Sequence, residues 1–266
     1  MGDSRRGQIT QSAAEYYEQH FVPSLFAQWP PRLAEAAGIR SGDRVLDVAC
    51  GTGVLARHLA ERVGPTGSVV GLDLNDGMLA VAARHGPRVD WRQGRAEALP
   101  FEDASFDAVV SQFGLMFFED RSRALREMRR VLRPGRSLAV AVWDRLENSP
   151  GYAELVLLLE RLFGSGSADA LRAPFVLGDP GALRDLFSPL DVRDLEVRTV
   201  PGQAQFPSIR AWMETEICGW TLREVLGEDD RRRLADEAEL ALARFAGPDG
   251  SITFTAPAHV ASGSKP

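Results

Sequence analysis

Between residues 43 and 144 the chain alternates short apolar runs with longer amphipathic ones, and this alternation is its strongest constraint on folding. The apolar runs are DRVLDVAC (43–50), GSVVGLDL (67–74), RVDWRQG (88–94), SFDAVVSQFG (105–114) and RSLAVAVWD (136–144). Between them lie GVLARHLAERVG (53–64), DGMLAVAARHG (76–86) and EDRSRALREMRRVLRPG (119–135), whose apolar residues recur at helical spacing. Strands alternating with helices of this length predict a mostly parallel sheet with helices on both faces. The strands are rich in Val and Ala rather than cleanly alternating, as expected when both faces are buried. Gly64 closes the first helix, Asp76 is the expected N-cap of the second, and a Pro-Gly turn ends the third.

Outside this block the rhythm changes. SAAEYYEQHFVPSLF (12–26) and PPRLAEAAGI (30–39) read as helices. After Trp143, four further segments read as helical: 151–164, 179–190, 208–220 and 228–247. DVRDLEVRTV (191–200) and AHVASGSK (258–265) read as two late strands, and SGSAD (165–169) as a loop. The expected organisation is an N-terminal helical lid (1–40), a ligand-binding core (41–145), and helical cap segments interleaved with the last strands of the same sheet (146–266).

Composition excludes several classes. No apolar run approaches the ~18 residues of a membrane span, and MGDSRRGQITQSAAEYYEQH lacks the apolar stretch of a signal peptide. Arg6 stands where N-myristoylation requires Ser or Thr. The net charge of -6 argues against a broad nucleic-acid surface. Cys50 and Cys218 lack metal-ligand spacing and are expected to be reduced thiols. The expected setting is the cytoplasm, with no nucleic acid, no membrane and no metal.

The turn Val45–Ala56, VLDVACGTGVLA, identifies the ligand class. A phosphate loop requires a Lys after its last glycine, and none follows here; a dinucleotide fingerprint requires glycines that positions 49 and 54 do not supply. The pattern present is D-x-A-x-G-x-G. It resembles the first motif of the class I S-adenosylmethionine-dependent methyltransferases, with Ala49 at the first glycine. RAEALPFEDASFDAVVS (95–111) and ALREMRRVLRPGR (124–136) resemble the branch that contains the ubiquinone and menaquinone C-methyltransferases and many small-molecule methyltransferases.

The resemblance implies a Rossmann-like, doubly wound, mostly parallel seven-stranded sheet with a helical cap. It implies S-adenosyl-L-methionine as cofactor and S-adenosyl-L-homocysteine as product. Asp73 would accept from the ribose hydroxyls, and Asp47 would face the methionine ammonium. Ala49, Gly51 and Gly53 would bring backbone to the amino-acid moiety. Leu74 and Met78 would flank the adenine, and Ala96 would offer its N–H to the ring. Arg95 stands where the family has an acid that binds the adenine amino group, so Arg95 would stack on the ring or Glu97 would substitute. Gln112 and Phe113 would meet the methionine part and the transferring methyl, and Tyr17 the cofactor carboxylate. His20, four residues after Tyr16, is the candidate base.

SQFG replaces the Asn/Asp-Pro-Pro-Tyr of amino-group methylases, and the Pro-Cys pair of cytosine C5 enzymes is missing. Phe113, Met116, Phe117, Phe118, Phe163, Phe175, Trp212, Met213 and Trp220 suit an apolar or aromatic small-molecule acceptor, methylated at O, C or N. The expected state is monomer or homodimer. Two rivals are a cyclase or eliminase using the same cofactor and a non-catalytic subunit.

Overall fold

The computed structural model describes residues 11–219, 222 and 226–266; residues 1–10 of the expected lid and Trp220 lie outside these. Five parallel strands form the centre: β1 (Arg44–Val48), β2 (Ser68–Asp73), β3 (Asp90–Gln93), β4 (Phe106–Gln112) and β5 (Leu132–Trp143). β6 (Arg193–Val200) and β9 (Ala258–Ser264) complete a seven-stranded sheet of order β3-β2-β1-β4-β5-β9-β6, with β9 antiparallel to both neighbours. β7 (Gln203–Phe206) and β8 (Ile252–Thr255) pair separately. Each has only four residues, too short a run for its alternation to show in the sequence.

The crossover helices are α3 (Val54–Val63), α4 (Asp76–His85) and α5 (Arg121–Val131). α2 (Pro30–Ala36) packs beside α3, and α8 (Pro180–Phe187) beside α5. Right-handed crossovers in opposite directions from β1 put these helix pairs on opposite faces. The sheet interior is apolar throughout: Val45, Leu46, Val109, Val110, Ala139 and Val140 are all fully buried. The strand order reverses between β1 and β4, which opens a cleft at their carboxyl ends, the usual ligand position in such sheets.

α6 (Pro150–Phe163), α7 (Ser165–Arg172), α9 (Ile209–Gly219) and α10 (Glu228–Ala241) form the helical layer over that edge. Two local expectations are corrected. SGSAD opens α7 rather than a loop, because Ser167, Ala168 and Leu171 form a buried stripe against the neighbouring helix. The N-cap of α4 is Asn75, whose Oδ1 accepts from the Met78 N–H at 3.1 Å; Asp76 is the first helical residue. At the N-terminus, α1 (Gln11–Tyr16) continues into a π-helical segment, Tyr17–Phe26, that contains Pro23. α1 rests on α4, and the π-helical segment packs against α9.

Candidate active site

The turn after β1 needs left-handed backbone at three residues: Ala49 (φ 60°), Gly51 (φ 55°) and Gly53 (φ 87°). A side chain in that region costs roughly 1–2 kcal/mol, so Ala49 is strained where a glycine would not be. Its methyl fits because residue 114 is glycine; a Cβ there would lie 2.6 Å from the Ala49 Cβ. The two glycines of the turn do different things. A Cβ on Gly51 would meet nothing within 4 Å, so the turn faces open space at that point. A Cβ on Gly53 would lie 2.3 Å from the Trp91 ring. Gly53 therefore makes room for a protein side chain. The same indole fills the space over Gly71 and Gly86, and its Nε1 donates to the Gly86 carbonyl at 3.0 Å.

Asp73, at the end of β2, ties this turn to α4. Its Oδ2 accepts from the Gly51 N–H and its Oδ1 from the Asn75 N–H, both at 2.8 Å. Each oxygen keeps a second lone pair, so the carboxylate retains capacity for two hydroxyls. Leu74 beside it is exposed. Met78 is buried against Ala14, Val81 and Tyr17, under the N-terminal helix.

Asp47 is fully buried, and no donor reaches either carboxylate oxygen with hydrogen-bond geometry among the described residues. Burial pushes its carboxyl well above the ordinary range, the neighbouring Asp73 adds to this, and the Ala56 N–H in the first turn of α3 offsets part of it. A buried anion without a partner is costly. A cationic ligand group in the cleft would supply the missing partner. Gln112 also has an orphan: its Nε2 donates to the Phe26 carbonyl at 3.4 Å, while its buried Oε1 has no partner.

Arg95 Nη2 pairs with Glu119 at 2.6 Å, and its Nε lies 3.6 Å from Glu97. Glu97 Oε1 accepts from the Glu119 N–H at 3.0 Å. Arg95 and Glu97 thus form one ion-pair cluster with Glu119. Ala96 between them is buried.

The N-terminal helix is held over the cleft by Glu18 with Arg57 (2.6 Å) and Glu15 with Arg84 (2.7 Å). Tyr17 is turned inward; burial, then Glu18 and Asp73, push its hydroxyl far above the ordinary tyrosine range. His20 does not share that direction. It is exposed, and its ring contacts Tyr16 at 4.1 Å between centroids. It is not among the residues of the inner cavity, so the structure does not bring it to the acceptor side.

That cavity, of about 60 Å³, adjoins the cleft. Phe113, with φ 56° at the end of β4, turns its ring into the cavity wall and stacks on Trp143 at 3.9 Å. Phe117 and Phe175 also line it, whereas Trp212 and Met213 are fully buried core and Phe163 packs at the core's margin. Met116 is buried core and Phe118 is half-buried beside it.

Three polar lining residues, Ser149, Tyr152 and Glu216, escaped the sequence reading. Glu216 Oε1 accepts from the Tyr152 hydroxyl at 2.8 Å and from the Trp212 Nε1 at 2.9 Å. The one local signal for Glu216 was a carboxylate within the apolar face of AWMETEICG, four residues after Trp212.

Burial raises the Glu216 carboxyl from about 4.5 to about 7. The folded protein therefore holds this proton at pH values where the unfolded chain has released it. Stability should fall as pH rises from about 4.5 to about 7, with a contribution from this group of about 3 kcal/mol. Asp47 and Asp73, also raised by burial, act in the same direction. In thermal melts across this range, Glu216→Gln should lose less stability than the parent protein. Parallel melting curves for the two proteins would contradict the assignment.

A family model described as a methyltransferase domain matches residues 45–135. The chain is 43% identical over 126 residues to the ubiquinone/menaquinone biosynthesis C-methyltransferase UbiE of Hahella chejuensis, covering 45% of this chain and 51% of that protein. It is 40% identical over 129 residues to the chloroplastic 2-phytyl-1,4-beta-naphthoquinone methyltransferase of Arabidopsis thaliana, covering 46% and 49%. The chain thus matches about half the length of either relative. Among solved structures, phosphoethanolamine N-methyltransferase 2 of Haemonchus contortus, in complex with S-adenosyl-L-methionine, superimposes with a TM-score of 0.64 at 20% identity, covering 98% of this chain and 59% of that one; this likeness concerns the fold.

Residues 45–135, which carry the glycine turn and the strand-end acids, are a methyltransferase domain on a doubly wound sheet. Over the matched residues the chain is similar to the quinone-biosynthesis C-methyltransferases of the UbiE type.

Proposed function

We propose that the protein transfers the methyl group of S-adenosyl-L-methionine to a small apolar or aromatic metabolite. The observation that carries this reading is the unpartnered, buried Asp47 carboxylate beside the open Gly51 turn. The cofactor's methionine ammonium would neutralise Asp47, and its ribose hydroxyls would use the remaining lone pairs of Asp73. Gln112 Oε1 offers a further acceptor at the same strand ends. When bound, the cofactor supplies a methyl group already activated on a sulfonium.

The chain's own contribution is then alignment and exclusion of water. Well-aligned reactants gain roughly 7–11 kcal/mol from orientation, and the Tyr17 lid over the cleft serves both needs. The cavity supports an apolar or aromatic acceptor, and its residues Ser149, Tyr152, Phe175 and Glu216 lie outside residues 45–135. We place the activity in the cytoplasm: no described helix is long and apolar enough to cross a membrane, and both cysteines are free. The protein would act as a monomer or homodimer.

The test is calorimetric binding of S-adenosyl-L-methionine followed by incubation of the methyl-labelled cofactor with a metabolite extract. Binding with label recovered in a small organic product is expected. Binding with cofactor unconsumed while a substrate isomerises would favour a cyclase or eliminase. Binding with neither would favour a non-catalytic subunit.

A further inference from the structure

The inner cavity contains one buried polar atom that the fold leaves without a partner, Ser149 Oγ, and a buried carboxylate, Glu216, whose donors both reach the same oxygen. Ser149 is the N-cap of α6, where a serine normally accepts a hydrogen bond from the first helical turn. Its side chain makes no such bond, and its buried Oγ has no partner. Glu216 is nine-tenths buried or more, and both donors that reach it, Tyr152 and Trp212, bond to Oε1. Oε2 accepts no hydrogen bond among the described residues, and Glu216 lines the cavity. The remaining wall is predominantly aromatic, with Phe26, Phe113, Trp143 and Phe175 among its rings.

The cavity lies beside the carboxyl end of β4. Phe113 directly follows Gln112, and Tyr17 lies within electrostatic reach of both Asp73 and Tyr152. Orphaned polar atoms in an apolar pocket penalise ligands that cannot pair with them, and this makes such atoms specificity determinants.

We propose that Glu216 and Ser149 recognise the acceptor, and that the acceptor is a hydroxyl-bearing aromatic compound whose O–H donates to Glu216 Oε2. This rests on the methyltransferase reading for the word acceptor, but the binding preference is independent of it. A neutral hydroxyl suits the pair because it both donates and accepts, and Ser149 can do likewise. A carboxyl that titrates near neutrality can meet a hydroxyl in either protonation state, whereas an ammonium ligand would require the anion.

The probes are 4-nitrophenol, nitrobenzene and (4-nitrobenzyl)trimethylammonium, titrated into the full chain with and without S-adenosylhomocysteine. The parent protein should bind 4-nitrophenol about tenfold or more tightly than nitrobenzene, with a shifted absorption band reporting the hydrogen-bonded phenol. Glu216→Gln should lose most of that preference while keeping its nitrobenzene affinity; Ser149→Ala should reduce it by a smaller factor. Equal affinity for phenol and nitrobenzene in the parent protein would overturn the proposal without recourse to any variant, as would tighter binding of the ammonium probe. Retention of the full preference in folded Glu216→Gln would also overturn it. Failure of S-adenosylhomocysteine to bind would refute the methyltransferase reading alone and leave the phenol preference to be judged separately.

Discussion

Asp73→Ala should weaken S-adenosyl-L-methionine binding by about 10²-fold or more. The cofactor's two ribose hydroxyls are each expected to donate to this carboxylate, and hydrogen bonds to a charged group contribute roughly 1.5–3 kcal/mol each. The structure adds a second source of loss. Asp73 also holds the Gly51 N–H and the Asn75 N–H, so its removal loosens both the turn and the start of α4. Asp73→Asn separates the two. It retains an acceptor oxygen of similar size but loses the charge and one acceptor position, so an intermediate affinity is expected. Calorimetry that finds the affinity of Asp73→Ala unchanged would remove Asp73 from the ribose.

Gly53→Ala should destabilise the protein by about 3 kcal/mol or more, although it adds a single methyl group. Two effects combine. The left-handed backbone at φ 87° costs a side chain roughly 1–2 kcal/mol. The new Cβ would also sit 2.3 Å from the Trp91 ring, and overpacking of this kind costs typically ~1–3 kcal/mol. Only the second cost depends on Trp91. In a double-mutant cycle, Gly53→Ala should therefore destabilise a Trp91→Leu background less than the parent protein. Denaturant titrations showing the same cost in both backgrounds would mean that the indole is not what excludes a side chain at residue 53.

Much of the cofactor half was legible in the sequence. The alternation of apolar and amphipathic runs is a property of neighbouring residues, and it led directly to the five parallel strands and their crossover helices. The acidic residue and glycines from Asp47 to Gly53 lie within one turn, and Asp73 ends the adjacent strand, so chain order nearly determines their proximity. Arg95 shows where such reasoning stops. Its departure from the family pattern was visible, but its pairing with Glu119 depends on a loop that returns twenty-four residues later.

The lid illustrates the same division. Helical periodicity predicted helix over residues 12–26, yet it did not distinguish Tyr17, turned inward beneath the lid, from His20, turned to solvent. A π-helical segment shifts the facing of its residues relative to α-helical spacing; Tyr16 and His20 make the ring contact their spacing allows, and His20 is exposed.

By itself the sequence determined the sheet, the glycine turn and the acids at the strand ends, because each rests on residues adjacent in the chain or on one strand–helix unit. Tertiary structure alone decided that Trp91 fills the space over three glycines, that Glu18 ties the N-terminal helix to Arg57, and that Ser149 and Glu216 share one aromatic cavity. The physical reason is distance along the chain. Glu216 meets Tyr152 across sixty-four residues, and no local propensity encodes which buried polar atom will be left without a partner.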